Sequence, residues 1–181
     1  MTEFEKKVLL TDEAYWVLKT WAGLSAKTFV QTNYYYDTDD GAFHNRGITC
    51  RIREKNATYV ATIKEHKGNE KSEENSKEVK NAFDTTLFAD LGVSFQGSLK
   101  TTRTILCRDT GVIALLDKNE YLDTVDYELE IEYLEEYEEQ AKLIEMVLLY
   151  VLSTHGNQSN KLLSQQPNKS SRFFQRKAYL N

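Results

Sequence analysis

The stretch GITCRIREKNATYVATIKE, Gly47–Glu65, decides how the rest of the chain is read. Apolar and polar residues alternate through Gly47–Glu54 and again through Ala57–Glu65. Lys55-Asn56 lies between the two runs as a turn signal, so the pair reads as a β-hairpin. Successive side chains of a strand point to opposite faces. Arg51 and Arg53 therefore project together, with Lys55 next in phase, and Thr62 and Lys64 project together from the second strand. Cys50, next to Arg51, faces the other way and reads as a core thiol.

The same alternation recurs outward from this hairpin. Glu3–Leu9 places Glu3, Glu5 and Lys7 on one side and Phe4, Lys6 and Val8 on the other. Phe29–Asp37 is β-branched and aromatic, hence a strand; its Tyr34–Tyr36 run is mixed, with Tyr34 and Tyr36 on one face and one of the two a candidate to line an opening. Lys77–Asn81, Leu99–Asp109, Val112–Tyr121 and Asp126–Glu132 complete a set of eight strands. Asp109-Thr110-Gly111 is a turn signal, and the last strand gathers Glu128, Glu130 and Glu132 on one face. Helices are expected over Thr11–Trp21, Asp84–Leu91, Glu135–Leu152 and Arg172–Leu180. In the first, Ala14, Trp16, Val17, Leu18 and Trp21 supply the buried side. In the third, Ala141, Ile144, Leu148 and Val151 form a stripe. Ser153–Ser171 reads as a loop. Eight antiparallel strands with helices predict a closed barrel or a strongly curved sheet.

With 181 residues the chain is expected to form a single domain, 1–181, and its 11 Tyr and 8 Phe can fill a core. The longest apolar run, near Met146–Leu152, is far short of the ~18 residues of a membrane span. Met1–Glu5 has no signal-peptide character, and Cys50 and Cys107 form no disulfide or metal framework, so a cytoplasmic protein is expected. His44, His66 and His155 have no metal-ligand spacing. A balance of 23 basic against 28 acidic residues argues against nucleic acid as partner.

The informative feature is the sorting of charge by strand. A solvated face normally mixes signs, whereas Arg51/Arg53 and Glu128/Glu130/Glu132 each concentrate one. Like charges crowded on one face call for a compensating ligand or ion. Carboxylate oxygens suit Mg²⁺ or Mn²⁺, while Arg and Lys hold phosphate oxygens. A polyanion bridged by a divalent cation fits both sets.

Taken in order, these elements resemble the CYTH domains, or triphosphate tunnel metalloenzymes, over nearly the whole chain. The resemblance rests on Glu3-x-Glu5-x-Lys7, Tyr35-Tyr36-Asp37-Thr38, Arg51-x-Arg53, Thr62-x-Lys64 and Arg103. It continues through Leu116-Asp117-Lys118, Tyr127–Glu132 and the closing run Asn168–Phe173. It is strongest toward the CYTH proteins of Gram-positive bacteria. It implies an eight-stranded antiparallel β-barrel forming a tunnel, helices packed outside, and metal-dependent hydrolysis of a triphosphate such as tripolyphosphate or a small organic triphosphate. By the same resemblance Lys7, Arg51, Arg53, Lys64, Arg103, Lys169 and Arg172 bind the substrate. Glu3, Glu5, Glu128 and Glu130 hold Mg²⁺ or Mn²⁺, with Glu5, Glu128 and Glu130 catalytic. The family's further acids after Thr-x-Lys correspond to a region where Glu73, Glu74 and Glu78 are the candidates. Thr101 stands where a second basic residue often precedes the arginine. Two alternatives accompany this reading: a class IV-type adenylate cyclase, and a non-catalytic module that binds polyphosphate or nucleotide. Four acids add little to pure phosphate binding, which favours an enzyme.

Overall fold

The computed structural model describes residues 3–67, 71–155 and 167–180, without the side chains of Glu3, His66, Lys67, Lys71, Ser72 and His155. In chain order it runs β1 (Glu3–Leu10), α1 (Asp12–Ala22), β2 (Thr28–Asp37), α2 (Ala42–Asn45), β3 (Ile48–Lys55) and β4 (Thr58–Lys67). Then follow β5 (Lys71–Val79), β6 (Ser94–Asp109), β7 (Val112–Tyr121), β8 (Thr124–Leu134), α3 (Glu138–His155) and α4 (Lys169–Leu180). The eight antiparallel strands that the alternation predicts are present as one sheet, in the order β1-β8-β7-β6-β2-β3-β4-β5, with β1 and β5 at the ends of that order. The opening hairpin closes through Asn56 and Ala57, both at positive φ (53° and 60°), with Lys55 paired to Thr58. That is the conformation a two-residue hairpin turn requires.

The chain divides into two compact units. The first contains the chain through Phe29, then Thr102–Asn119, and the chain from Val125 through α3. Its core joins α1 and α3 to one face of the strands. Ala14, Tyr15 and Leu18 meet Val112, Ala114 and Leu116 of β7, Leu129 and Ile131 of β8, and Ala141, Leu148, Val151 and Leu152 of α3. Helix α1 starts at Thr11, whose hydroxyl accepts from the Ala14 amide at 3.2 Å. The expected α3 stripe is present, with Ile144 packed at its edge.

Helix α1 corrects one expectation. Trp16 and Trp21 are 54% and 46% exposed rather than buried. The apolar stripe runs through Ala14, Tyr15 and Leu18, and Trp16 lies a further turn-third around the cylinder, off that stripe.

The second unit contains Val30–Thr101, Glu120–Thr124 and the chain from Pro167. Tyr36, Cys50, Ile52, Ala61 and Phe88 form its core on one face of β2, β3 and β4. Cys50 is fully buried there, and burial, reinforced by the field of Asp37, pushes its pKa up to about 12. Only a single 3-10 turn, Thr86–Phe88, forms where a helix over Asp84–Leu91 is expected. The Asp84 carboxylate accepts from the Lys80 and Thr86 amides, offering the backbone a turn in place of a helix. Strand β5 is longer than the expected Lys77–Asn81. Its polar sequence has no apolar alternation, and pairing with β4 from Tyr59↔Val79 to Lys67↔Lys71 imposes the strand. A charged strand at the end of a sheet order is a common way of blunting an edge.

Candidate active site

Cross-strand register determines which side chains share a face. In the first unit Lys7 lies opposite Glu130, Glu5 opposite Glu132 and Leu9 opposite Glu128. Lys6, on the other face, instead reaches Glu145 of α3 at 2.6 Å, so β1 sorts its charges as the sequence predicts. The Lys7 ammonium lies 2.6 Å from Glu5 Oε1 and 3.4 Å from Glu130 Oε1. Glu128, Glu130 and Asp117 are all buried.

Arg103 is the second cation of this face. Its Nε and Nη2 donate to the two oxygens of Asp117 at 2.8 and 2.7 Å, Nη2 also donates to Glu130, and Nη1 lies 3.5 Å from Glu132. Burial disfavours the charged guanidinium, yet the hydrogen bond to Asp117 and the fields of Glu130, Asp117 and Glu132 hold its pKa above the ordinary arginine value. Five carboxylates, those of Glu5, Asp117, Glu128, Glu130 and Glu132, thus share one unit with Lys7 and Arg103. Glu3 begins β1 opposite Leu134, and its side chain lies outside the described residues.

The donor set fits the hard divalent cation that the sequence implies: every candidate ligand is a carboxylate, and Glu5 and Glu130 already share one positive group, the Lys7 ammonium. Among the described residues no three acidic, histidine or cysteine side chains converge as a ready-made metal cage.

The second unit carries the complementary charge. Register aligns Asn33 and Tyr35 of β2 with Arg53 and Arg51 of β3, then with Val60 and Thr62 of β4, and next with Glu78 and Ser76 of β5. Thr49, Lys64 and Glu74 extend the same face. Among the candidate acids of β5, Glu74 and Glu78 therefore share the face of Lys64, while Glu73 shares that of Glu65. Glu74 lies 3.7 Å from Arg51 Nη2 and is exposed. Arg51 Nε is buried without a hydrogen-bond partner, the one such side-chain atom among the described residues. Arg53 Nε donates to Asn33 Oδ1 at 2.9 Å. Lys64 has no salt bridge among the described residues.

The expected tyrosine face is corrected here. Tyr34 and Tyr36 point into the apolar side, where Tyr36 packs on Phe88 and Tyr34 Oη donates to Glu54 at 2.8 Å. Burial and the Glu54 contact raise the Tyr34 pKa to about 12. Tyr35 is the residue on the cationic face. Burial raises its pKa, while the fields of Arg51, Arg53, Lys169 and Arg172 pull the other way, so all four cations act on one phenol.

Lys169 and Arg172 reach this neighbourhood from α4. Asn168 caps the helix, its Oδ1 accepting from the Ser171 amide at 2.9 Å and the Ser170 hydroxyl at 2.7 Å. Ser170 Oγ pairs with Thr49 Oγ1 at 3.0 Å, and Arg172 Nη1 donates to the Pro167 carbonyl at 2.8 Å. Phe173 is fully buried against Tyr35, Tyr121 and Leu99. Gly97 (φ 138°) makes room for it: a Cβ there would lie 2.8 Å from Phe173 Cζ. Helix α4 begins three residues before the expected Arg172 start, so part of the expected Ser153–Ser171 loop is helical at both ends, and residues 156–166 lie outside the described residues.

Three further residues build these sites without having been assigned a role from sequence. Asn33 seats Arg53; the period-2 run Gln31, Asn33, Tyr35 beside two apolar tyrosines is the signal that marks it. Asp117 clamps Arg103. Asp37 of the Tyr-Tyr-Asp-Thr element accepts from the amides of Thr38, Phe43 and His44, which makes it the organiser of α2. His44 stacks on Phe174 at 4.7 Å, and burial, against the field of Asp37, lowers its pKa, consistent with a packing role.

Residues 1–164 match the CYTH domain. YjbK of Bacillus subtilis (strain 168), named as a candidate triphosphatase, is 31% identical over 146 residues, covering 72% of this chain and 76% of that protein. Among solved structures, a Bacillus halodurans protein described as a candidate adenylate cyclase superposes with a TM-score of 0.71 and 25% identity, covering 96% of this chain and 100% of the other. HpAC1 from Hippeastrum, described as a candidate adenylyl cyclase with a dominant triphosphatase activity, gives a TM-score of 0.70 at 21% identity, covering 96% and 95%.

Proposed function

The chain belongs to the CYTH domain family, and from that premise we propose that it hydrolyses a triphosphate, either inorganic tripolyphosphate or a small organic triphosphate, with Mg²⁺ or Mn²⁺. The observation that carries this reading is that Arg51 and Arg53 share one face of β3, paired with Tyr35 and Asn33, that α4, which carries Lys169 and Arg172, packs on Tyr35 and Thr49 through Phe173 and Ser170, and that Arg51 Nε is buried without a hydrogen-bond partner. A cluster of that kind suits the oxygens of a linear polyphosphate, whose turnover is chiefly a matter of positioning and charge stabilisation. The naming of YjbK and the description of HpAC1 support the same activity.

In this reading Lys7, Arg51, Arg53, Lys64, Lys169 and Arg172 bind and align the phosphates. Arg51 and Arg53 present planar forks, which hold two oxygens each and resist rotation of the bound chain. Lys64 and Lys169 act as point charges. Glu5, Glu128 and Glu130, with Glu3, are the residues that would hold the divalent cation. When bound, that cation supplies Lewis-acid stabilisation of charge on the phosphate oxygens. Lys7, already shared by Glu5 and Glu130, keeps those two carboxylates together before any ligand arrives.

A purified-protein panel of tripolyphosphate, thiamine triphosphate and ATP, each with Mg²⁺ or Mn²⁺ and with EDTA, tests the proposal. Metal-dependent phosphate release is expected, most strongly from one of the first two. Cyclic AMP formed from ATP without phosphate release would instead establish a cyclase. Tight tripolyphosphate binding with no turnover of any substrate would establish a binding module.

A further inference from the structure

Helix α3 is apolar on both sides. Ala141, Leu148, Val151 and Leu152 face the core of the first unit, while Leu143, Met146, Val147 and Tyr150 lie opposite, at 62%, 65%, 46% and 69% exposure. Steps of three, one and three residues make the exposed four a single stripe. From Leu143 to Thr154 every exposed position of the helix is uncharged. The Ser153 and Thr154 hydroxyls turn back on their own helix, donating to the Tyr150 carbonyl at 2.8 and 3.0 Å, and the half-buried Glu145 is held by Lys6. A helix with apolar residues all round is normally covered all round. We propose that the outer stripe of α3 is a homodimer interface, with two copies packing α3 against α3, antiparallel, about a two-fold axis between Met146 and Val147.

Spacing, area and charge choose a second copy as the occupant. A two-fold interface needs a patch that complements itself. Positions 143, 146, 147 and 150 are symmetric about their midpoint, so the axis sets Leu143 against Tyr150 of the second copy and Met146 against Val147, a larger side chain facing a smaller one in each pair. The stripe exposes on the order of 400 Å² of apolar surface. That is most of the apolar share of the ~800 Å² that each partner contributes to a standard interface. The charged residues Glu138, Glu139 and Lys142 pair among themselves at the start of the helix, at 3.1 and 2.7 Å, clear of the stripe. An antiparallel pair keeps the two acidic starts at opposite ends of the interface, whereas a parallel pair would crowd them and align the two helix dipoles.

The proposal involves neither charged face, so it stands or falls independently of the triphosphatase reading. Sedimentation velocity of the intact chain over a concentration series tests it. A dimer is expected at about 50 µM, within the micromolar-or-tighter range of such interfaces. Met146→Glu places like charges on both sides of the axis and is expected to raise the dimer dissociation constant roughly a hundredfold or more, with the circular dichroism spectrum unchanged. Orientation is read from two single substitutions under mild oxidation, against a wild-type background in which Cys50 is buried and Cys107 half-buried. Val147→Cys is expected to give a disulfide-linked dimer. Tyr150→Cys is not, because seven residues separate the two thiols along antiparallel helices, about 10 Å at the helical rise and beyond disulfide reach. The wild-type series and the cysteine pair decide the matter if Met146→Glu does not fold. A wild-type monomer throughout the series, a dimer untouched by Met146→Glu, or equal cross-linking at positions 147 and 150 would overturn the proposal.

Discussion

In the first unit both cations of the charged face, Lys7 and Arg103, are seated on carboxylates; in the second, Arg53 rests on the amide of Asn33 and Arg172 on the carbonyl of Pro167. A carboxylate partner orients a cation and cancels its charge at the same time. A neutral acceptor orients it and subtracts nothing. The first arrangement therefore leaves an excess of negative oxygen, suited to a divalent cation. In the second unit Arg51 lies 3.7 Å from the exposed Glu74, while its buried Nε has no hydrogen-bond partner among the described residues.

The most severe way to break this comparison is to remove the carboxylate on which the first unit's arginine is built. Asp117→Ala removes the bidentate partner of a buried guanidinium, leaving it Glu130 and Glu132, and is expected to cost about 3 kcal/mol in denaturant unfolding. A loss below about 1 kcal/mol, the range of exposed pairs, would mean that the buried pair does not hold the site. Next in size, Arg53→Ala is expected to weaken tripolyphosphate by about 1.5–3 kcal/mol, roughly ten- to a hundredfold in dissociation constant by calorimetry. Unchanged binding would remove Arg53 from the phosphate set. Smaller still is Lys64→Met. This lysine has no salt bridge among the described residues, so folding stability is expected to move by no more than about 0.5 kcal/mol. Tripolyphosphate affinity is expected to fall by about 1 kcal/mol, roughly fivefold. A destabilised but normally binding variant would reverse the distinction between the two units.

The smallest expected effect checks the register on which the comparison rests. Cys50 alternates with Thr49 and Arg51, and its pKa of about 12 leaves almost no thiolate at pH 8. Native protein is expected to resist iodoacetamide at Cys50, with mass spectrometry locating any label. Rapid native-state labelling would mean that β3 turns its other face toward the cations, because a one-residue slip exchanges the two sides of a strand.

Alternation made much of this legible from sequence. Strands with one apolar face, such as β1, β3 and β7, are readable because period 2 is written into their side chains. Strand β5 is only partly legible because nothing apolar marks it, and its form is imposed by pairing with β4. The tyrosine face is not legible in sequence because all three residues of Tyr34–Tyr36 are amphipathic, and only pairing with Arg51 shows that Tyr35 joins the cations. Trp16 and Trp21 show the limit of composition: large apolar residues need not be buried when a neighbouring stripe already fills the contact. The charged residues are legible one by one, but their partners are not. That Asn33 seats Arg53 and Asp117 seats Arg103 depends on separations of 20 and 14 residues along the chain, which periodicity does not reach.

The proposed division, with the phosphates held chiefly by Arg51, Arg53, Lys64, Lys169 and Arg172 and the divalent cation by Glu5, Glu128 and Glu130, is tested most directly by Glu5→Gln, assayed for tripolyphosphate binding in EDTA and for phosphate release with Mn²⁺. Binding should match or exceed that of the wild type, since a negative charge has been removed, while turnover should fall by roughly a hundredfold or more with the loss of a metal-binding carboxylate. Turnover retained at the wild-type level, or tripolyphosphate binding lost along with it, would contradict the division.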